Sequence, residues 1–322
     1  MTTDQTTAKT PGWVVPMLVG IAFLALFAVC PYATGYGHER KPIAYWLWYF
    51  WRFPEWQHGA LVPFILTAVI WRMRKDLSSL PLDGNRLGLG VILFSLFLFF
   101  AGYRSNIYYL GYASCHLLAI GVVLWIGGVP WFKRLFFPIF FLAFLWPLYF
   151  LENRIGFPLR MLMTELSSGL LNGIGVEHLK QGTAIVSPDD GNSFALEVAN
   201  PCSGIRSLFA LLMIGALYGY IAMNRTWHWI VLCLSAIPFA IAGNVMRILI
   251  LLGGSIWLGS DVAVGEDGGT SPFHFFAGIM VFLTASAGMF LLGKGLHIAT
   301  GYFRKNPDSV EVPARKTKSA HG

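Results

Sequence analysis

Cys202 stands in the run Asn200-Pro201-Cys202-Ser203-Gly204-Ile205-Arg206-Ser207, directly before a long apolar stretch. Proline cannot continue a helix backward but suits a helix start. The thiol therefore falls at or near a helix N-terminus. Free amide groups and the positive end of the helix dipole favour a thiolate there. The thiolate is the nucleophile of cysteine chemistry, so the setting raises reactivity near neutral pH. Gly204 would let a substrate backbone come close. Arg206 lies four residues after the cysteine, on the same helical face, and adds positive charge. The bland alternative is a buried membrane cysteine. Cys30, Cys115 and Cys233 fit that description, since each lies inside an apolar run. No two cysteines have CxxC spacing, so neither a zinc site nor a thioredoxin-like motif is expected.

Arg247 sits in Ala242-Gly243-Asn244-Val245-Met246-Arg247-Ile248-Leu249-Ile250. A cation among apolar neighbours inside a span is costly and marks a functional position by default. Asn244 is three residues earlier and shares its face. The guanidinium could hold a thiolate or a developing oxyanion in a low dielectric. The alternative is an arginine reaching out to the lipid headgroups. His274, in Ser271-Pro272-Phe273-His274-Phe275, opens the last apolar run. Its imidazole could activate a thiol and later protonate a leaving amine. His58, in Trp56-Gln57-His58-Gly59, is a fourth candidate, either supporting the site or capping a helix. Nucleophile, oxyanion stabiliser and acid/base form a known catalytic logic. HExxH, GxSxG and Walker sequences are absent, and no cofactor or metal is expected.

The elements that must position these groups are membrane helices. The chain has 322 residues, 56% of them hydrophobic and only 12% charged, against about 25% charged in a soluble domain. Lipid must be the solvent for most of it. A span needs about 20 mainly apolar residues. Eight candidates follow: 13–33, 58–71, 87–103, 107–128, 132–151, 204–223, 227–259 and 274–296. Trp46, Trp48, Trp51 and Trp56 suggest an aromatic belt at the interface before the second. Pro238 or Gly243 is expected to break or kink the seventh. With the N-terminus inside, about twice as many basic residues fall on inner as on outer segments, which places both termini in the cytoplasm. The net charge of +7 is thus spent on the membrane surface, and no nucleic acid is expected. The expected fold is an all-α integral membrane protein with about eight transmembrane helices. Residues 1–12 form a cytoplasmic tail, 13–300 the membrane domain, and 301–322 a disordered basic tail. An extracytoplasmic insertion, 152–203, precedes the sixth span. Its first part, Arg154 to Ile174, reads as a helix lying on the membrane. Its second reads as a β-hairpin, with strands Thr183–Val186 and Ser193–Val198 around Pro188-Asp189-Asp190-Gly191.

From about residue 45 to 296 the chain resembles the exosortase/archaeosortase family of membrane transpeptidases. Cys202-Ser203-Gly204-Ile205-Arg206 is similar to the family's cysteine motif, and Asn244-Val245-Met246-Arg247-Ile248 to its asparagine–arginine motif. His274 falls where the family's histidine follows, and His58-Gly59-Ala60-Leu61-Val62-Pro63 resembles a further family segment. The resemblance implies an enzyme that recognises a C-terminal signal on secreted proteins: a short motif such as Pro-Glu-Pro, a transmembrane helix and a basic tail. It implies cleavage at the outer face of a bacterial inner membrane, through a Cys202 thioester. Arg247 would steady the oxyanion and His274 would shuttle the proton. The new C-terminus would pass to an unknown acceptor molecule, and the bacterial branch is often tied to exopolysaccharide production. Three other readings stay open: a transporter lined by Arg247, an assembly subunit of a secretion or polysaccharide system, and a membrane acyltransferase.

Overall fold

The computed structural model describes residues 14–35, 37–189, 194–197, 204–223, 225–265 and 271–305. The expected tails at 1–12 and beyond 305, part of the expected turn at 190–193, and Cys202 itself lie outside the described residues.

The first half of the chain runs α1 (Val14–Val29), α2 (Ile43–Trp51), a 3-10 turn (Gln57–Leu61), α3 (Val62–Ser78), α4 (Arg86–Ser105), α5 (Tyr108–Arg134) and α6 (Phe136–Phe141). The short α7 (Tyr149–Leu151) and a π turn (Glu152–Gly156) lead into α8 (Phe157–Gly173). Three short strands follow: β1 (Leu179–Gln181), β2 (Ala184–Val186) and β3 (Ala195–Glu197). The second half is α9 (Ile205–Ala222), α10 (Thr226–Leu258), the short α11 (Ser260–Ala263) and α12 (Pro272–Lys305).

Among the described residues, five helices are long and apolar enough to cross a membrane: α4, α5, α9, α10 and the Pro272–Ala299 part of α12. A sixth span arises if Phe136–Leu145 and Tyr149–Gly173, bent by 69°, are taken together. The expected count of eight is not reached: among the described residues five or six spans qualify by length and composition. Within expected span 13–33 the described helix is the 16-residue α1. Expected span 58–71 begins as a 3-10 turn, and the end of α3 carries Arg72, Arg74, Lys75 and Asp76. Expected span 132–151 breaks at Trp146-Pro147. The proline has no N–H to give a helix, and it pushes Trp146 to an extended ψ of 120°. By contrast α10 runs as one helix through Pro238 and Gly243, where a break or kink was expected.

Small residues set the contact between α4 and α5. A Cβ added at Gly88 of α4 would lie 2.3 Å from the Trp125 backbone nitrogen of α5. Ser95 Oγ donates to the Ser114 carbonyl across the same contact at 2.7 Å. Close approach through glycine and serine is how membrane helices gain packing where lipid offers no hydrophobic drive. Gly128 kinks α5 at φ 68°, a conformation that favours glycine. The tryptophan-rich segment is not simply an interface belt. Trp48 is exposed, but Trp46 and Phe50 are buried with Tyr32, Tyr108 and Tyr112 in an aromatic core.

The strands form one antiparallel sheet in the order β1-β2-β3. Ile185 pairs with Leu196, and both side chains are buried. They pack with Met163 and Leu171 of α8 and with Val245, Ile248, Leu251 and Leu252 of α10. The helix expected to lie on the membrane, α8, thus buries Met163, Thr164, Ser167 and Leu171 within the protein. This cluster ties the segment ahead of α9 to the half of α10 that carries Asn244 and Arg247.

Candidate functional site

α9 opens at Gly204, whose φ of 74° lies in the left-handed region where a Cβ is strained. Its carbonyl accepts from Ser207 Oγ at 2.9 Å and from the Leu208 N–H at 2.8 Å, which closes the first turn. α12 opens on Ser271-Pro272. Proline at the first helical position is preorganised, and serine before it is a preferred cap. Ser271 Oγ accepts from the His274 backbone N–H at 3.0 Å and donates to the Ala263 carbonyl at 3.0 Å. One hydroxyl thus ties the first turn of α12, and with it His274, to α11.

Arg247 lies on α10, which packs against both α9 and α12. Its guanidinium rests on Gly278 of α12. A Cβ added there would be 3.1 Å from Nη2 and 3.2 Å from Cζ. The side chain therefore turns toward the neighbouring helix. Asn244 is 5% exposed and His274 is 6% exposed. An added Cβ at Gly204 would be 3.7 Å from Asn244 Nδ2, so the start of α9 sits against α10 at this residue.

These groups share one cavity of about 430 Å³. Gly204, Arg206, Ser207, Asn244, Arg247 and His274 line its polar end. Leu211, Phe239, Ala240, Val281, Phe282 and Ala285 line its apolar depth, between α9, α10 and α12. Five of the seven residues singled out in the sequence therefore meet around one space. Cys202 lies outside the described residues, two positions before Gly204 in the chain. His58 is not among the cavity's lining residues. Its ring stacks on Phe209 of α9, with centroids 6.0 Å apart and planes at 10°.

One charged lining residue was not singled out in the sequence. Glu55, in the loop ahead of His58, is buried and faces the same cavity with Pro54. Its signal was a lone carboxylate in the aromatic stretch Trp51-Arg52-Phe53-Pro54-Glu55-Trp56. Of the other cysteines, Cys115 is buried among Phe23, Ile92 and Leu118, as a small hydrophobe would be.

Chemically the cavity offers two guanidinium groups, an imidazole, an amide and a carboxylate at the rim of an apolar channel. Such a rim suits a reaction that develops negative charge on oxygen and needs one proton moved. The apolar depth suits a substrate that arrives from lipid.

A comparison with curated proteins and one with solved structures found no match. The family model described as transmembrane exosortase matches residues 50–291, a stretch that takes in Glu55, the start of α9, Arg247 and His274. This multi-pass membrane protein belongs to the transmembrane exosortase family.

Proposed function

We propose that the chain is a membrane cysteine protease or transpeptidase that cuts a C-terminal sorting signal from secreted proteins at the outer face of a bacterial inner membrane. The observation that carries this reading is the meeting of Arg247, His274 and the first turn of α9 around one cavity, in a chain of this family. Cys202 precedes that turn by two residues.

In the first step His274 takes the Cys202 thiol proton, and the thiolate attacks the scissile carbonyl. Arg247 steadies the oxyanion that forms, and Asn244 lies beside it on the same helix. The C–N bond then breaks, and His274 gives the leaving amine its proton. The product is a thioester that joins Cys202 to the new C-terminus. In the second step the acceptor's nucleophile attacks the thioester and loses its proton to His274, and the leaving Cys202 thiolate takes that proton back to restore the thiol. Water gives hydrolysis and another nucleophile gives transfer. Arg206, at the rim, meets the acidic residue of a Pro-Glu-Pro motif. The substrate's transmembrane helix enters sideways from lipid, and its basic tail remains in the cytoplasm.

The test is co-expression with a reporter that ends in a Pro-Glu-Pro motif, a helix and a basic tail. Processing is read by gel shift. Wild type is expected to shorten the reporter, while Cys202→Ala leaves it whole. Equal processing by both would remove Cys202 as nucleophile. Transport of a solute that survives Cys202→Ala, with no processing by wild type, would favour the transporter reading.

A further inference from the structure

At the opposite end of α9 and α10 from the candidate site, two clefts meet. One, of about 560 Å³, is lined by Ile65, Ala68, Val69, Arg72, Met73 and Asp76 of α3, by Arg134, and by Leu217, Tyr220 and Ile221 of α9. The other, of about 310 Å³, is lined by Lys133, Arg134, Phe136 and Phe137 and, across from them, by Tyr220, Arg225 and Trp229. Arg134 and Tyr220 belong to both.

The polar groups are unbalanced. Four cations, Arg72, Lys133, Arg134 and Arg225, share the clefts with one carboxylate, Asp76, which pairs with Arg134. Asp76 can neutralise one of the four. The remaining charge is held on a stiff frame. Tyr220 stacks flat on Phe137 with centroids 3.8 Å apart, and its hydroxyl lies 3.4 Å from Met73 Sδ. Trp229 Nε1 donates to the Ala216 carbonyl at 2.9 Å.

The apolar groups are ordered along the same groove. Ile65, Ala68, Val69, Arg72 and Asp76 recur at helical spacing on one face of α3, apolar residues first and charged residues last. Ile221 on the opposing wall is 68% exposed. A groove that is apolar toward the middle of the bundle and cationic at its end matches an amphiphile with an anionic head. A soluble acidic protein would meet the cations but leave the apolar stretch unfilled.

We propose that this pair of clefts binds an anionic phospholipid, with its phosphate among Arg72, Lys133 and Arg225 and its acyl chains along the α3–α9 groove. Basic pockets between spans on the cytoplasmic side take such headgroups, and each basic side chain there is worth about 1 kcal/mol. That corresponds to about a fivefold change in affinity per cation. The orientation read from the basic residues puts this end in the inner leaflet, where such lipids reside. The site is remote from Arg247 and His274, so it stands or falls separately from the proposed chemistry.

The test uses the full chain in detergent micelles doped with phosphatidylglycerol or phosphatidylcholine, with bound lipid counted by native mass spectrometry. Phosphatidylglycerol is expected to be retained and phosphatidylcholine lost. Lys133→Gln with Arg225→Gln should weaken phosphatidylglycerol binding about twenty-five-fold. Lys133→Arg with Arg225→Lys should keep it. Should the neutral double variant fail to fold, Arg72→Gln reads the other cleft, with about a fivefold loss expected. Equal retention of the two lipids, or undiminished binding in the folded neutral variants, would overturn the proposal. So would displacement of the lipid by an equal concentration of glycerol phosphate, since the site would then take a free phosphate and not a lipid.

Discussion

Gly278 offers a graded test of where Arg247 must be. A Cβ added at residue 278 would stand 3.1 Å from Nη2, 3.2 Å from Cζ and 3.4 Å from Nε of that arginine. Ordinary contact begins near 3.4 Å, so Gly278→Ala must push the guanidinium by about 0.3 Å. A misplacement of 1 Å can cost about 100-fold in rate. Scaled to the smaller shift, the alanine variant should process the reporter about fourfold more slowly. Gly278→Leu fills the space and should move the group by about 1 Å, for about a 100-fold loss. Removing the group outright with Arg247→Ala sets the floor, at roughly 100-fold to 1,000-fold. Helix weakening cannot explain the series, because alanine is favoured over glycine inside a helix by about 0.5–1 kcal/mol. Gly253→Ala is the control, since a Cβ there meets nothing within 4 Å. The assay is the initial rate of reporter shortening, normalised to the amount of folded enzyme. A folded Gly278→Leu enzyme that keeps wild-type rate would refute the reasoning, because the position of Arg247 would then not matter.

Two further outcomes are expected. Ser271→Ala removes a cap worth about 1 kcal/mol and loosens the first turn of α12. It should lower kcat while leaving KM nearly unchanged, and Ser271→Thr should restore most of the loss; an equal loss with threonine would argue against a capping role. Gly88→Val would set a side chain 2.3 Å from the Trp125 backbone nitrogen and force α4 from α5, so it should sharply reduce the monodisperse fraction on size exclusion, whereas Gly90→Ala, which meets nothing within 4 Å, should not.

The residues that were legible in the sequence share a property. Arg206, Asn244, Arg247 and His274 are polar groups in or beside long apolar runs, where lipid makes an idle polar group costly. Glu55 was not legible, because an aromatic stretch reads as an interface belt and its one carboxylate reads as solvated. Only the packing of α2 into a core, with the following loop turned toward α9, brings it inward. Spans 87–103, 204–223, 227–259 and 274–296 correspond closely to α4, α9, α10 and α12, because each is an uninterrupted apolar run. Expected span 107–128 likewise matches α5 up to its kink at Gly128. Span 132–151 fails where one residue decides continuity, because Pro147 ends the helix that a window of apolar residues would carry on. The alternation of β2 and β3 was readable, since one residue in each is buried. β1 has every residue exposed and carried no such pattern.

Length along α10 bears on both readings of Arg247. α10 starts beside Arg225, and 22 residues at about 1.5 Å each put Arg247 about 33 Å along the axis. A hydrocarbon core is about 30 Å thick. An Arg225 near one interface thus leaves Arg247 near the other, not at mid-bilayer. That depth alone would allow the guanidinium to reach headgroups. Its direction argues otherwise. The group lies against Gly278 of α12, next to the cavity that His274 and Gly204 share, and its Nε is buried. A side chain seeking headgroups would extend away from the bundle, and glycine at 278 would then have no role. The glycine makes room for the cation at one specific place, as the proposed oxyanion role requires: the charge must be fixed before the reaction begins, because its value lies in not having to reorganise.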